Sequence, residues 1–227
     1  MIEKDDLELI LLEHIDNDLR EIIMNKQLKS VCRNGYETSI IKTLNLLKQK
    51  NILYVLKFCI TILDVKFDNI KNNIDALEQN NLLYLIEKCP SILKSTKNNL
   101  GQIIEILKKY DLIEILDKCP IILIRGNKNN VEKNIEILKK YNLLYLVYQC
   151  PIMLTQVPNK MENIIKLLVK KDMVYLIIKC PSILLYGDDK LILSYLDKAI
   201  DNDIITDIVE CSSLLFTKNL DKIDSII

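Results

Sequence analysis

The sequence predicts an all-α protein, a right-handed or curved α-solenoid of about six 30- to 31-residue helix-helix-turn repeats. Three observations predict it. The seven cysteines, Cys32, Cys59, Cys89, Cys119, Cys150, Cys180 and Cys211, follow one another at gaps of 27, 30, 30, 31, 30 and 31 residues. Four of them open one pentapeptide pattern, Cys89-Pro-Ser-Ile-Leu93, Cys119-Pro-Ile-Ile-Leu123, Cys150-Pro-Ile-Met-Leu154 and Cys180-Pro-Ser-Ile-Leu184, with degenerate copies at Cys59 and Cys211. Upstream of each lie apolar residues at helical spacing, such as Leu100, Ile103, Ile104 and Leu107, or Met161, Ile164, Ile165 and Leu168.

Each repeat resolves into three pieces. A longer helix opens at a capping residue, Thr96, Asn127, Asn159, Asp188 or Thr217, whose side-chain oxygen can accept a first-turn amide. It closes near Asp111, Asn142 or Asp172. A second, more apolar helix of about two turns follows at Leu82 to Ile86, Leu112 to Leu116, Leu143 to Val147 and Met173 to Ile178. The proline after the cysteine disfavours continuing that helix, so Pro-x-Ile-Leu forms a tight, 3₁₀-like turn that tucks two apolar side chains inward. A unit this small cannot bury its own apolar face, so its neighbours must cover it. Residues 1–30, with Leu7, Ile10, Leu11, Ile15, Leu19, Ile22 and Ile23 among acids, read as an N-terminal helical cap, and 31–227 as the repeats, the last one incomplete.

Composition sets the outer limits. A chain that is 49% hydrophobic and 27% charged, with only four Gly and five Pro, is that of a folded protein. No apolar run approaches the roughly 18 residues of a membrane span. The acidic start Met1-Ile-Glu-Lys-Asp-Asp6 suits neither a secretory signal nor a transit peptide. A cytoplasmic location is therefore expected, or an organellar one if a leader has been removed.

Catalytic and metal chemistry find little support. His14 is the only histidine, the four glycines (Gly35, Gly101, Gly126, Gly187) are isolated, and the Asp188-Asp189 pair sits where a helix begins. Equivalent cysteines in stacked units lie roughly 8 to 10 Å apart, too far to share one zinc ion at about 2.3 Å. They are expected to be reduced, mostly buried and free of metal. No enzyme activity, cofactor or small-molecule substrate is expected. A tyrosine recurs at Tyr54, Tyr84, Tyr145 and Tyr175, where a core ring with its hydroxyl at the rim is favoured over base stacking.

Charge is more informative. Net charge is zero, yet residues 1–80 carry 11 basic and 13 acidic groups, 81–185 carry 16 and 9, and 186–227 carry 4 and 9. A positive middle between acidic ends suits a nucleic-acid groove between solubilising caps. Two lysine sets run through it. Lys108-Lys109, Lys139-Lys140 and Lys170-Lys171 end the longer helices, where the helix dipole already favours cations. Lys97, Lys128, Lys160, Lys190 and Lys218 lie in first turns, where the dipole opposes them, so their recurrence points to a ligand. The candidate phosphate-binding residues are thus Lys97, Arg125, Lys128, Lys160 and Lys190, with Lys109, Lys140 and Lys170 as the second set.

A repeat of this length with a Pro-x-x-Leu turn resembles that of the mitochondrial transcription termination factor family. The carriers are Pro90 with Leu93, Pro120 with Leu123, Pro151 with Leu154 and Pro181 with Leu184, and the resemblance covers residues 40 to 220. It implies a curved α-solenoid whose basic concave face binds DNA or RNA and a role in gene expression. The alternative expectation is a scaffold that takes a partner helix or peptide in its groove.

Overall fold

A computed structural model describes residues 37–95 and 99–185. These residues form helices, turns and no strand, so the chain is all-α as far as it is described. No helix among them is long and apolar enough to cross a membrane. The N-terminal cap, Cys32 and Cys211, and the expected caps Thr96, Asp188 and Thr217 fall outside the described residues. The chain divides into two compact units, 1–125 and 126–227.

In the first unit the longer helices are α1 (Glu37–Gln49), α2 (Phe67–Gln79) and α4 (Asn99–Lys109). Short helices α3 (Leu85–Lys88), α5 (Ile115–Lys118) and α6 (Ile122–Arg125) accompany 3₁₀ turns at Leu53–Lys57, Ile60–Asp64 and Pro90–Lys94. The second unit holds α7 (Lys128–Lys140), α8 (Pro158–Lys170) and the short α9 (Val174–Lys179). Its 3₁₀ turns are Leu144–Tyr148, Pro151–Thr155 and Pro181–Leu185. In α4 the expected stripe Leu100, Ile103, Ile104 and Leu107 is fully buried, each side chain contributing about 1.5–3 kcal/mol of apolar burial.

Each longer helix ends in the same way. Asn51, Asn81, Asp111, Asn142 and Asp172 adopt φ of 55 to 58°. At Asn81 the amide bonds the Glu78 carbonyl at 3.0 Å and the next amide, of Leu82, bonds Leu77 at 2.8 Å. This paired pattern is a Schellman stop, and both Leu82 and Leu77 are buried. Asn and Asp serve because, after Gly, they tolerate the left-handed region best.

Each described cysteine is a joint with no spacer. The Cys89 amide bonds the Leu85 carbonyl at 2.9 Å, closing the short helix, while its own carbonyl accepts from Ile92 at 3.0 Å, opening the turn. Cys59, Cys119, Cys150 and Cys180 repeat both bonds. Their backbone is alike, with φ near −140° and ψ near 75°, and Cys59 shares it although Ile60 follows it. The Cys89 and Cys180 thiols also meet the hydroxyls of Ser91 and Ser182, at 3.3 and 3.1 Å.

Three expectations are corrected. The second helices are shorter than two turns in most repeats: α3 and α5 have four residues, and the 143–147 stretch is 3₁₀. Asn159 is not a cap, because α8 begins at Pro158 with Val157 before it and no side-chain cap bond; Asn127 does cap α7, accepting from the Asn129 amide at 3.0 Å. The cysteines are less buried than expected, since Cys180 is buried while Cys59, Cys89, Cys119 and Cys150 are half-buried.

Three buried polar side chains, Asn73, Ser95 and Asn134, are clamps. Asn73, 4% exposed, donates its amide to the Leu93 and Ser95 carbonyls at 3.1 and 2.9 Å. The same register position is Ile103 in α4, and there the buried Ser95 hydroxyl supplies the missing donor, to Leu123 O at 3.0 Å. In the second unit, fully buried Asn134 bonds Leu154 O at 3.0 Å and Gln156 O at 2.9 Å. Carbonyls at the end of a tight turn have no helical partner, and a donor must reach them if they are buried.

Candidate nucleic-acid interface

The second unit carries the clearer charge. Between residues 126 and 185 there are nine lysines against four acids, and all the lysines except the half-buried Lys171 are exposed. The apolar stripes of α7 and α8 cause this: Val131, Ile135 and Leu138, like Met161, Ile165 and Leu168, turn inward, leaving the lysines the opposite face.

The first-turn set does not form one row there. Lys128 is the first residue of α7, three before the core residue Val131, whereas Lys160 is the third residue of α8, one before the equivalent Met161. Two residues amount to about 200° around a helix, so the two ammonium groups leave their axes in different directions. Both are exposed. Arg125, also exposed, ends α6 in the first unit, and Lys97 and Lys190 lie outside the described residues, as does Lys218.

The second set keeps its register. Lys109, Lys140 and Lys170 each end their helix two residues after a buried leucine, Leu107, Leu138 and Leu168. Lys109 Nζ stands 4.9 Å from the Tyr110 ring centre, and Lys140 Nζ stands 5.2 Å from that of Tyr141. Lys140 also donates to Glu162 Oε1 at 2.9 Å, and Lys166 sits 3.3 Å from the other oxygen. The Lys140 bond, ahead of its charge, holds the Glu162 carboxyl below the usual range and raises the Lys140 ammonium. Lys170 makes no ion pair among the described residues.

Three of the four recurring tyrosines overturn the core expectation, while Tyr54 is half-buried. Tyr84, Tyr145 and Tyr175 are 42%, 48% and 43% exposed, on the outer side of the short helices. Their occupations differ. Tyr84 donates its hydroxyl to Asp117 Oδ1 at 2.8 Å, and Lys88 Nζ bonds the same oxygen at 3.0 Å while standing 5.2 Å from the Tyr84 ring centre. Burial first, then the Asp117 bond, raises the Tyr84 phenol; Lys88 first, then Tyr84, lowers Asp117. Tyr54 is likewise raised by burial first, then by the charge of Glu87 and its bond to it. Tyr145 and Tyr175 make no hydrogen bond among the described residues.

Sequence reasoning passed over the neighbours of those rings, Tyr148, Ile178 and Lys179, all exposed. The usable signal was their register: residues two before the cysteine are Lys57, Glu87 and Asp117 in the first unit but Tyr148 and Ile178 in the second. The thiols are quieter. Burial, opposed by the Ile122 amide and Arg125, pushes the Cys119 thiol above its ordinary value. Among the described residues no three His, Cys, Asp or Glu side chains converge on a common point where a metal ion would fit. Ammonium groups and part-exposed tyrosine rings together suit a ligand with regular negative charge and flat surfaces. No protein family, no curated protein and no solved structure matches this chain.

Proposed function

We propose that this protein is a nucleic-acid-binding α-solenoid of about six repeats, holding a DNA or RNA backbone with lysines and Arg125 and acting in gene expression, as its resemblance to transcription termination factors implies. The observation that carries the reading is the lysine surface of residues 126–185, nine basic groups, eight of them exposed, against four acidic. Phosphates attract such a surface at long range, and binding releases their condensed counterions. Lys128 also opens α7, whose N-terminal end favours an anion although Asn127 already takes the Asn129 amide.

Gel-shift titrations of DNA and RNA at several salt concentrations test this. Binding that weakens steeply with salt is expected. Reversing Lys97, Arg125, Lys128 and Lys160 to Glu weakens it and flattens the slope by roughly 0.7 to 0.9 for every phosphate no longer neutralised. Reversing Lys109, Lys140 and Lys170 acts mainly on helix stability. Absence of binding to either nucleic acid at low salt overturns the reading. The second reading, a scaffold for a partner helix or peptide, draws on Val157 and Val169, 51% and 42% exposed on and beside α8, and predicts no such salt slope.

A further inference from the structure

The tyrosine register shows what each ring meets. Tyr84 lies five residues before Cys89, and Asp117 lies two before Cys119; their hydrogen bond shows that a ring at the first position adjoins the residue at the second position one repeat later. Tyr54 and Glu87 have the same relation. Carried into the second unit, that register sets Tyr145 against Ile178. Ile178, 44% exposed, has no side-chain acceptor for the phenol, and Tyr145 is 48% exposed. Tyr175 and Lys179 are i and i+4 on α9, hence on one face, and Lys179 is exposed without an ion pair among the described residues. In the first unit the corresponding lysine, Lys88, is tied to Asp117.

From this we infer that Tyr145 and Tyr175, with Tyr148 and Lys179 beside them, form a stacking platform for the bases of single-stranded nucleic acid. The inference rests on the nucleic-acid reading above and deepens it. Open aromatic faces select a single strand because a duplex keeps its base faces covered at a rise of about 3.4 Å. Rungs in adjacent repeats stand roughly 8 to 10 Å apart, so each takes one splayed base rather than a continuous stack. The positive excess of residues 126–185 supplies the charge complement that a purely apolar partner would not require. Lys179 meets the backbone beside the base held by Tyr175.

The test uses the full chain with fluorescein-labelled oligouridylate and oligothymidylate of roughly 12 nucleotides, and a duplex of equal length. Tyr145→Leu/Tyr175→Leu is expected to weaken single-strand binding at least about 25-fold, about fivefold per ring, without changing the salt slope or duplex binding. Tyr145→Phe/Tyr175→Phe keeps the affinity, because the ring face remains. The chain has no Trp and ten Tyr, so its intrinsic emission is tyrosine emission. Single-strand binding should quench it in the native protein and quench less of it in the Phe variant, a readout that does not depend on the folding of the Leu variant. Native protein that binds no nucleic acid at low salt overturns the function proposed above. Native protein that binds single strands without quenching, and Leu variants that bind equally well, overturn the platform alone. Leu variants that bind normally but lose self-association in sedimentation also overturn it, in favour of a protein-docking face.

Discussion

Asn134→Leu isolates the carbonyl clamp of the second unit. The native amide donates to Leu154 O at 3.0 Å and Gln156 O at 2.9 Å, and approaches Met153 O at 3.4 Å. Met153 O keeps the Gln156 amide at 3.2 Å, so two carbonyls lose their donor. The Leu154 carbonyl belongs to a buried residue, and stranding it costs about 1–3 kcal/mol; Gln156 is half-buried, and water offsets part of its loss. Against this, Asn134 Oδ1 is buried without a partner among the described residues, and leucine removes that penalty of about 1 kcal/mol. The balance is a net destabilisation of about 2 kcal/mol, which lowers the urea midpoint by roughly 1 M at an ordinary denaturant slope. Urea titration followed by circular dichroism measures it. A leucine variant as stable as the native protein refutes the reasoning, because the unpaired amide oxygen would then outweigh the two carbonyls. Asn134→Asp, nearly the same shape, is expected to do worse at neutral pH, since it aims a carboxylate at those carbonyls. Burial raises that carboxyl in the folded state. Its deficit therefore grows as pH rises above the unfolded value near 4 and shrinks at lower pH, where the acid can donate.

Two other predictions follow the same logic. Asn142, at φ 57°, should lose about 1 kcal/mol on change to Ala and nothing, or a slight gain, on change to Gly; an equal response to both in thermal melts removes the left-handed stop from the account. The raised Cys119 thiol holds less thiolate than a free cysteine at pH 8, so its maleimide labelling should be slow and should accelerate as pH rises through the elevated value; labelling at the free-cysteine rate contradicts the burial assigned to it.

What the sequence made legible was local chemistry. Asp111, Asn142 and Asp172 mark helix ends because a left-handed residue is chosen by its own side chain, and the cysteine register marks the joints because every repeat needs one. Asn159 misled because a first-turn proline, Pro158, starts α8 without a capping side chain. The roles of Asn73 and Asn134 were illegible, since their carbonyl partners lie 20 to 22 residues away on another element. For the same reason the tyrosines looked like core. Whether a ring is occupied depends on a residue 33 positions later, as Tyr84 shows with Asp117, and that spacing leads from Tyr145 to Ile178. The first-turn lysines looked like a ladder in one dimension, but Lys128 and Lys160 differ by two residues relative to the buried positions.

The joint at each cysteine also decides where the chain can change length. From the left-handed residue to the cysteine the distance is eight residues every time: Asn51 to Cys59, Asn81 to Cys89, Asp111 to Cys119, Asn142 to Cys150 and Asp172 to Cys180. Both ends of that span are pinned by backbone bonds, so it acts as a strut of one length. From a cysteine to the next left-handed residue the count is 22, except after Cys119, where it is 23. There Arg125 bonds back four residues to Ile121, whereas Ser95 and Gln156, at the same register, bond back three, and the added residue falls just after that turn, since Arg125 precedes buried Val131 by six residues where Ser95 and Gln156 precede Leu100 and Met161 by five. The link that follows the turn works as an expansion joint. A single inserted residue is absorbed there with the strut intact, while one inserted between Asn142 and Cys150 would rotate everything that follows out of phase.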